Sequence, residues 1–237
     1  MQAVHLVFSD VPLFLNQKYI KISAANLQLK YLVQKVNIMH DETYYKEIFD
    51  RHGGIMKTSE LELEKVYYRQ RERLIRDGYI EKIRCGYYQW SDPEEFSEAR
   101  IIVRMYPDAV LCMDTAFFYY GYSDRTPACW HLSVSKDSGK SRFKIDYPFV
   151  KPYYYEPSVY ETGAAQGEID GYDVRIYDKD RMICDCIRYR NKMDREIFNK
   201  AVQHYAADPE KNIARLLAYA RTLHVSKPVR DLIGVWL

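Results

Sequence analysis

Long apolar runs are the first thing this sequence lacks. Its most apolar stretch, Ala109 to Tyr120, is short and interrupted by Asp114, well under the roughly 20 residues that a membrane-spanning helix needs. No secretory leader is legible near the N-terminus, since Lys18 is the first basic residue and no cleavage motif follows it. Glycine and proline are scarce, at 10 and 9 of 237 residues, and repeats and low-complexity tracts are missing, which argues against wholesale disorder. The five cysteines (Cys85, Cys112, Cys129, Cys184 and Cys186) form no paired framework, and Cys184-x-Cys186 has no second pair at zinc spacing. They are expected as reduced, partly buried thiols of a cytoplasmic protein.

Signatures of catalysis are scarce too. His52, His131, His204 and His224 stand in unrelated segments, with no HExxH pair, GxSxG turn, Walker lysine loop or glycine-rich dinucleotide turn. Asp114, Asp124, Asp173, Asp178 and Asp185 could converge on a metal, but caps, turns and surface charge account for them more simply. Asp185, among Ile183, Cys184 and Ile187, is expected as a buried hydrogen-bonding group. No catalytic residue, metal or cofactor is therefore predicted.

What is present is a local separation of charge within a net of only +2. From Asp41 to Glu64 three Lys/Arg stand against seven Asp/Glu, a net of −4; from Lys65 to Trp90 seven stand against three, a net of +4. Such a step places basic charge on one element instead of spreading it. Within it Lys65, Arg69, Arg73 and Arg76 recur at helical spacing, with Leu63, Val66, Tyr67 and Leu74 expected on the opposite, buried side. Gly78 stops that helix. Tyr79 to Arg84, the Cys85-Gly86 turn and Tyr87 to Trp90 read as a hairpin. A helix able to enter a major groove, followed by a basic two-stranded ribbon, is the pattern of a winged helix-turn-helix. A solvated charged helix on any small domain is the competing reading of the same residues.

Around this centre the chain reads as α+β: an extension over 1–40, a winged helix-turn-helix over 41–92 and a mixed α/β C-terminal domain over 96–237 ending in helices. Met39 is expected as the natural start, with Asp41 or Thr43 capping a first helix over Tyr44–Arg51, whose core stripe is Tyr45, Ile48 and Phe49. Ile55-Met56 reads as a strand pairing with the wing, and Ser59 to Leu63 as a second helix capped by Thr58 or Ser59. Asp92 to Glu95 is the expected domain boundary. Beyond it, a helix is expected from Tyr106-Pro107-Asp108 to Gly121, and strands over Trp130–Ser135, Phe149–Tyr155 and Tyr172–Tyr177. Helices follow over Arg181–Arg190, from Asp194, from Asp208-Pro209-Glu210 and from Pro228, with Trp236 docked.

The order of these features resembles the AbiEi antitoxins, the transcription-regulating half of AbiE-type (type IV) toxin–antitoxin and phage abortive-infection systems. The resemblance is carried by Gly53-Gly54-Ile55, Lys57-Thr58-Ser59-Glu60-Leu61, Leu74-Ile75-Arg76-Asp77-Gly78 and Gly86-Tyr87-Tyr88 in the first domain. In the second it rests on Tyr106-Pro107-Asp108-Ala109-Val110, Ala116, Gly121, Asp124, Pro127, Val174-Arg175-Ile176, Met182-Ile183-Cys184-Asp185 and Val229-Arg230. Two departures stand out. Where the family often has Leu-Gly then Ile-Ser before the recognition helix, this chain has Glu64-Lys65-Val66-Tyr67, and Arg71 stands where an apolar residue is usual.

The resemblance implies a repressor that binds the inverted repeats of its own promoter, with possible self-association on DNA, and a C-terminal domain that counteracts a nucleotidyltransferase toxin; it implies no enzyme activity of its own. For DNA, Lys57, Thr58 and Ser59 at the second helix are the expected phosphate contacts, Tyr67, Tyr68, Arg69, Arg73 and Arg76 on the basic helix the groove and phosphate contacts, and Lys82 and Arg84 on the wing the flanking backbone contacts. The alternative is a winged-helix regulator whose second domain senses a ligand or partner, with no toxin. A third reading is an enzyme acting on nucleic acid. A deep apolar pocket with convergent polar groups would favour the alternative.

Overall fold

The computed structural model describes residues 42–92 and 96–234. The expectations for 1–41, for 93–95 and for Trp236 lie outside the described residues. The described chain is α+β, and compact packing divides it into two units, one ending at Gly54 and the other beginning at Ile55.

In the first unit a helix over 42–51 (α1) buries Ile48 and Phe49 and half-buries Tyr45, the stripe that a 3.6-residue period predicts. Its end is closed by two bonds to one carbonyl: Gly54 N–H to Phe49 O at 2.8 Å and His52 N–H to the same oxygen at 3.0 Å.

The second unit opens with β1 (Ile55–Lys57), α2 (Thr58–Leu63), α3 (Tyr68–Arg76), β2 (Ile80–Arg84) and β3 (Tyr87–Trp90). The strands form an antiparallel sheet in the order β1-β3-β2, with Ile55 opposite Gln89 and Ile80 opposite Trp90. Lys82 faces Tyr88 while Arg84 already faces Tyr87, so β2 carries one extra residue. That bulge brings Ile80 and Ile83, three apart, both into the interior, where a plain two-residue period would put them on opposite faces. Gly78 ends α3 in a left-handed conformation (φ 81) with nothing within 4 Å of its Cα substituent direction, so the backbone turn alone asks for glycine.

Two expectations here are corrected. The basic helix begins at Tyr68 and not at Lys65, because Lys65 has a left-handed backbone (φ 60) and Tyr67 is extended. Leu63 and Tyr67, expected on the buried side, are 84% and 54% exposed. The break after α2 rotates them off the face that Val66 and Leu74 bury.

The rest of the unit is a five-stranded mixed sheet, ordered β6 (Val150–Tyr155), β5 (Trp130–Ser135), β4 (Val110–Leu111), β8 (Tyr172–Tyr177) and β7 (Ala164–Ile169). The β5–β6 and β4–β8 pairs are parallel, and β4–β5 and β7–β8 antiparallel. Helix α4 (Glu98–Met105) packs on β8 and α5 (Met113–Tyr119) on β5; a short α6 (Pro157–Tyr160) follows β6. Helix α7 (Lys179–Tyr189), buried from Asp180 to Ile187, is packed by α5, α8 (Arg195–Ala207), α9 (Ile213–Thr222) and α10 (Ser226–Ile233).

The helix expected over 106–121 is in fact a turn, the strand β4 and then α5. A short apolar run buried on both faces has no period with which to tell strand from helix. Asp208-Pro209-Glu210 starts a turn, with Glu210 N–H on Asp208 Oδ1 at 2.8 Å, and Asn212 is the cap that opens α9. Asp194 does cap α8, accepting from Glu196 and Ile197. Ile55 and Ile83 share one hydrophobic core with Ile101, Phe117 and Ile176. Arg104 Nε also donates to Ile55 O at 3.2 Å, so β1–β3 and the larger sheet are continuous in packing.

Candidate nucleic-acid interface

The candidate surface is built from the turn upward. Helix α2 closes with Val66 N–H on Leu61 O at 2.8 Å and Lys65 N–H on Glu62 O at 3.1 Å, and Val66 is buried as the plug between α2 and α3. Arg71, which is only 7% exposed, explains its own presence at an apolar position. Its Nη1 donates to Val66 O at 3.1 Å, Glu62 Oε1 lies 3.5 Å away, and its guanidinium sits 6.0 Å from the centre of the Tyr88 ring. Arg71 therefore fastens the turn to the hairpin and takes no part in the outward cationic face.

That face consists of Tyr68 (66% exposed), Arg69, Arg73 and Arg76, all exposed on α3, with Tyr67 at its cap. A nine-residue helix is about 13 Å long, comparable to the width of about 12 Å of a B-DNA major groove. Lys57, Thr58 and Ser59 lie at the start of α2. The Lys57 N–H donates to Glu60 Oε2 at 2.7 Å, its ammonium lies 5.8 Å from the Tyr87 ring centre, and Thr58 N–H donates to Gly86 O at 2.9 Å. The cap thus ties α2 to the hairpin turn while Ser59 and the Lys57 side chain stay exposed. Burial pushes the Glu60 carboxyl up, but the Lys57 N–H and the Arg104 guanidinium outweigh it and hold the group below the usual carboxylate range.

The two cations expected on the wing differ. Lys82 is exposed on β2. Arg84 is half-buried, 4.5 Å from the Tyr87 ring centre, with Nη1 donating to Arg142 O at 2.8 Å. It is engaged inside the unit, and sequence spacing gave no sign of that.

Of the five carboxylates weighed as a metal set, Asp173 is exposed on β8 and the other four have separate partners. Asp178 caps α7 by accepting from Arg181 N–H, and Asp124 pairs with Lys200. Asp114 lies 3.8 Å from His131, whose pKa burial and Lys151 lower to about 4. Asp185 is buried against Arg181 (Nε–Oδ2 3.0 Å), and burial raises its carboxyl despite that partner. Arg181 is in turn stacked on Tyr177 and gives two bonds to Val159 and Thr162 carbonyls. Among the described residues no three His, Cys, Asp or Glu side chains gather as a metal-holding group, and no helix is long and apolar enough to cross a membrane.

Sequence reasoning missed an aromatic cavity of about 460 Å³ in the larger sheet region, bordered by α4, α5 and β5. Its signal was dispersed, because its lining comes from segments between Glu98 and Ile169 that carry no joint motif. Compared with known proteins, the chain matches no protein-family model and no curated protein.

Proposed function

We propose that this chain is a DNA-binding autoregulator of the AbiEi kind. In this reading residues 41–92 act as a winged helix-turn-helix, with α2 and α3 as the helix-turn-helix pair and β2–β3 as the wing. It binds inverted repeats in its own promoter and represses it from the cytoplasm. The C-terminal domain over 96–237 opposes a nucleotidyltransferase toxin. The single observation that carries the reading is the outward row of Tyr68, Arg69, Arg73 and Arg76 on a helix that the buried Arg71 locks to the hairpin. Groove-facing arginines specify bases and phosphate contacts set register, and the net +4 of residues 65–90 supplies the attraction.

A promoter–reporter assay combined with co-expression of the neighbouring gene tests it. The expected result is repression of the reporter by the wild-type chain and restored growth of cells carrying the neighbouring gene product. Neither repression nor rescue would defeat it. A second reading, a winged-helix regulator that senses a ligand and has no toxin partner, is favoured by the aromatic cavity. Repression without rescue would select it.

A further inference from the structure

The cavity beside β5 has a composition that points to one class of ligand. Its walls include Phe118, Tyr119, Trp130, Tyr147 and Phe149, and four of these rings stay 36–59% exposed. Large aromatic side chains left open in one place mark a binding site more often than chance exposure does. Among the described residues the charged groups in the lining are Glu98 and Glu168, with no Lys, Arg or His. Lys151, on the neighbouring strand β6, is turned over the Tyr153 ring at 5.4 Å instead.

The arrangement is fixed before any ligand arrives. Glu98 Oε2 accepts from Trp130 Nε1 at 2.5 Å, and Oε1 accepts from the Tyr147 hydroxyl. A carboxylate has about four acceptor directions, so these two bonds orient Glu98 and leave acceptor capacity at the cavity. Tyr119 is held from below by β7. A Cβ on Gly167 would come within 2.7 Å of its hydroxyl, and the Glu168 N–H donates to that same oxygen at 3.4 Å. Gly167 thus sits at close approach to Tyr119, and the next residue, Glu168, also lines the cavity. Ring faces carry negative potential and attract cations, and an anion entering here would meet two carboxylates with no cationic partner.

We propose that this cavity binds a small organic cation, an ammonium carried on an apolar or aromatic body. Glu98 and Glu168 meet the charge, and the rings of Trp130 and Phe149 cover the body. The proposal goes beyond the DNA reading, and its test uses no DNA, so either can fail alone.

The full chain is titrated at pH 7 with 2-phenylethylammonium, the neutral 2-phenylethanol and the anionic 3-phenylpropanoate, following the Trp130 indole N–H by NMR. The ammonium is expected to saturate at a concentration about tenfold or more below the alcohol, and the anion not to bind. Glu98→Gln should weaken the ammonium about tenfold and leave the alcohol within about twofold, so the alcohol reports whether the cavity itself survives the change. Glu168→Gln, on an exposed residue, should weaken the ammonium alone. Equal binding of the three probes, no saturable binding of the ammonium, or a Glu98→Gln variant that weakens ammonium and alcohol alike would overturn the proposal.

Discussion

At the level of single residues, the turn before α3 departs from the pattern of the family it resembles at Lys65 and Tyr67, and each departure has a physical cost. Lys65 holds a left-handed backbone (φ 60) where the resembled family often has glycine, a conformation that strains most side chains by about 1 kcal/mol or more. Tyr67 is the N-cap of α3 yet its side chain accepts no bond from the helix, and it stands where the family often has serine. Tyr67→Ser should therefore stabilise the protein by about 0.5–1 kcal/mol through a new cap bond. In a chain of this size that raises Tm by about 1–4 °C. The same change should weaken promoter binding, because Tyr67 is 54% exposed beside Arg69 and is assigned to the groove. Thermal melts and promoter titrations on one sample check both halves. A variant that melts lower, or binds DNA unchanged, contradicts the assignment. Arg71 shows the limit of composition: counted as one cation among seven, it spends its guanidinium on the Val66 carbonyl.

Among elements, Arg142 joins the hairpin to the larger sheet. Its carbonyl accepts from Arg84 Nη1 and from the Tyr106 hydroxyl, while its guanidinium grips both Asp108 oxygens. Those bonds, against the opposing effect of burial, hold the Asp108 carboxyl below its ordinary 3.8. A depressed carboxyl contributes stability that is present above its unfolded pKa and lost as pH falls through the folded one. Melting temperature should thus decline below about pH 3.8, and Asp108→Asn should flatten that decline while lowering stability at neutral pH. Parallel wild-type and variant curves would show that the pair does not carry the effect. The hairpin, β5, β8 and α8 are legible in the sequence because each has a local signal: the Cys85-Gly86 turn, the alternation of Trp130, Leu132 and Val134, the Asp170-Gly171 turn and the Asp194 cap. Helix α7 is legible only in part, since its Asp178 cap starts it at Lys179 and not at the expected Arg181. The elements β4, β7 and α4 are not legible. Val110–Leu111 is too short to show a period, β7 is Gly- and Ala-containing with weak alternation, and α4 follows a charged stretch that reads as a linker. The site divides similarly. Exposed Arg69, Arg73 and Arg76 follow from helical spacing, whereas the inward Arg71, the engaged Arg84 and the whole aromatic cavity depend on partners far away in the chain.

For the molecule as a whole, a net charge of only +2 would leave long-range attraction to DNA weak, so the proposed DNA binding rests on the few cations of α3 and its flanks. The most direct measurement is the affinity of the full chain for a labelled duplex from upstream of its own gene. Fluorescence anisotropy would follow it across a series of salt concentrations, for wild type and for the Arg69→Ala/Arg73→Ala double variant. The account predicts that wild-type affinity falls steeply with salt, and that the double variant loses about 1–3 kcal/mol per base contact removed, or about one unit of salt slope per phosphate contact removed. An unchanged affinity and slope in the double variant, with its fold intact by circular dichroism, would contradict it.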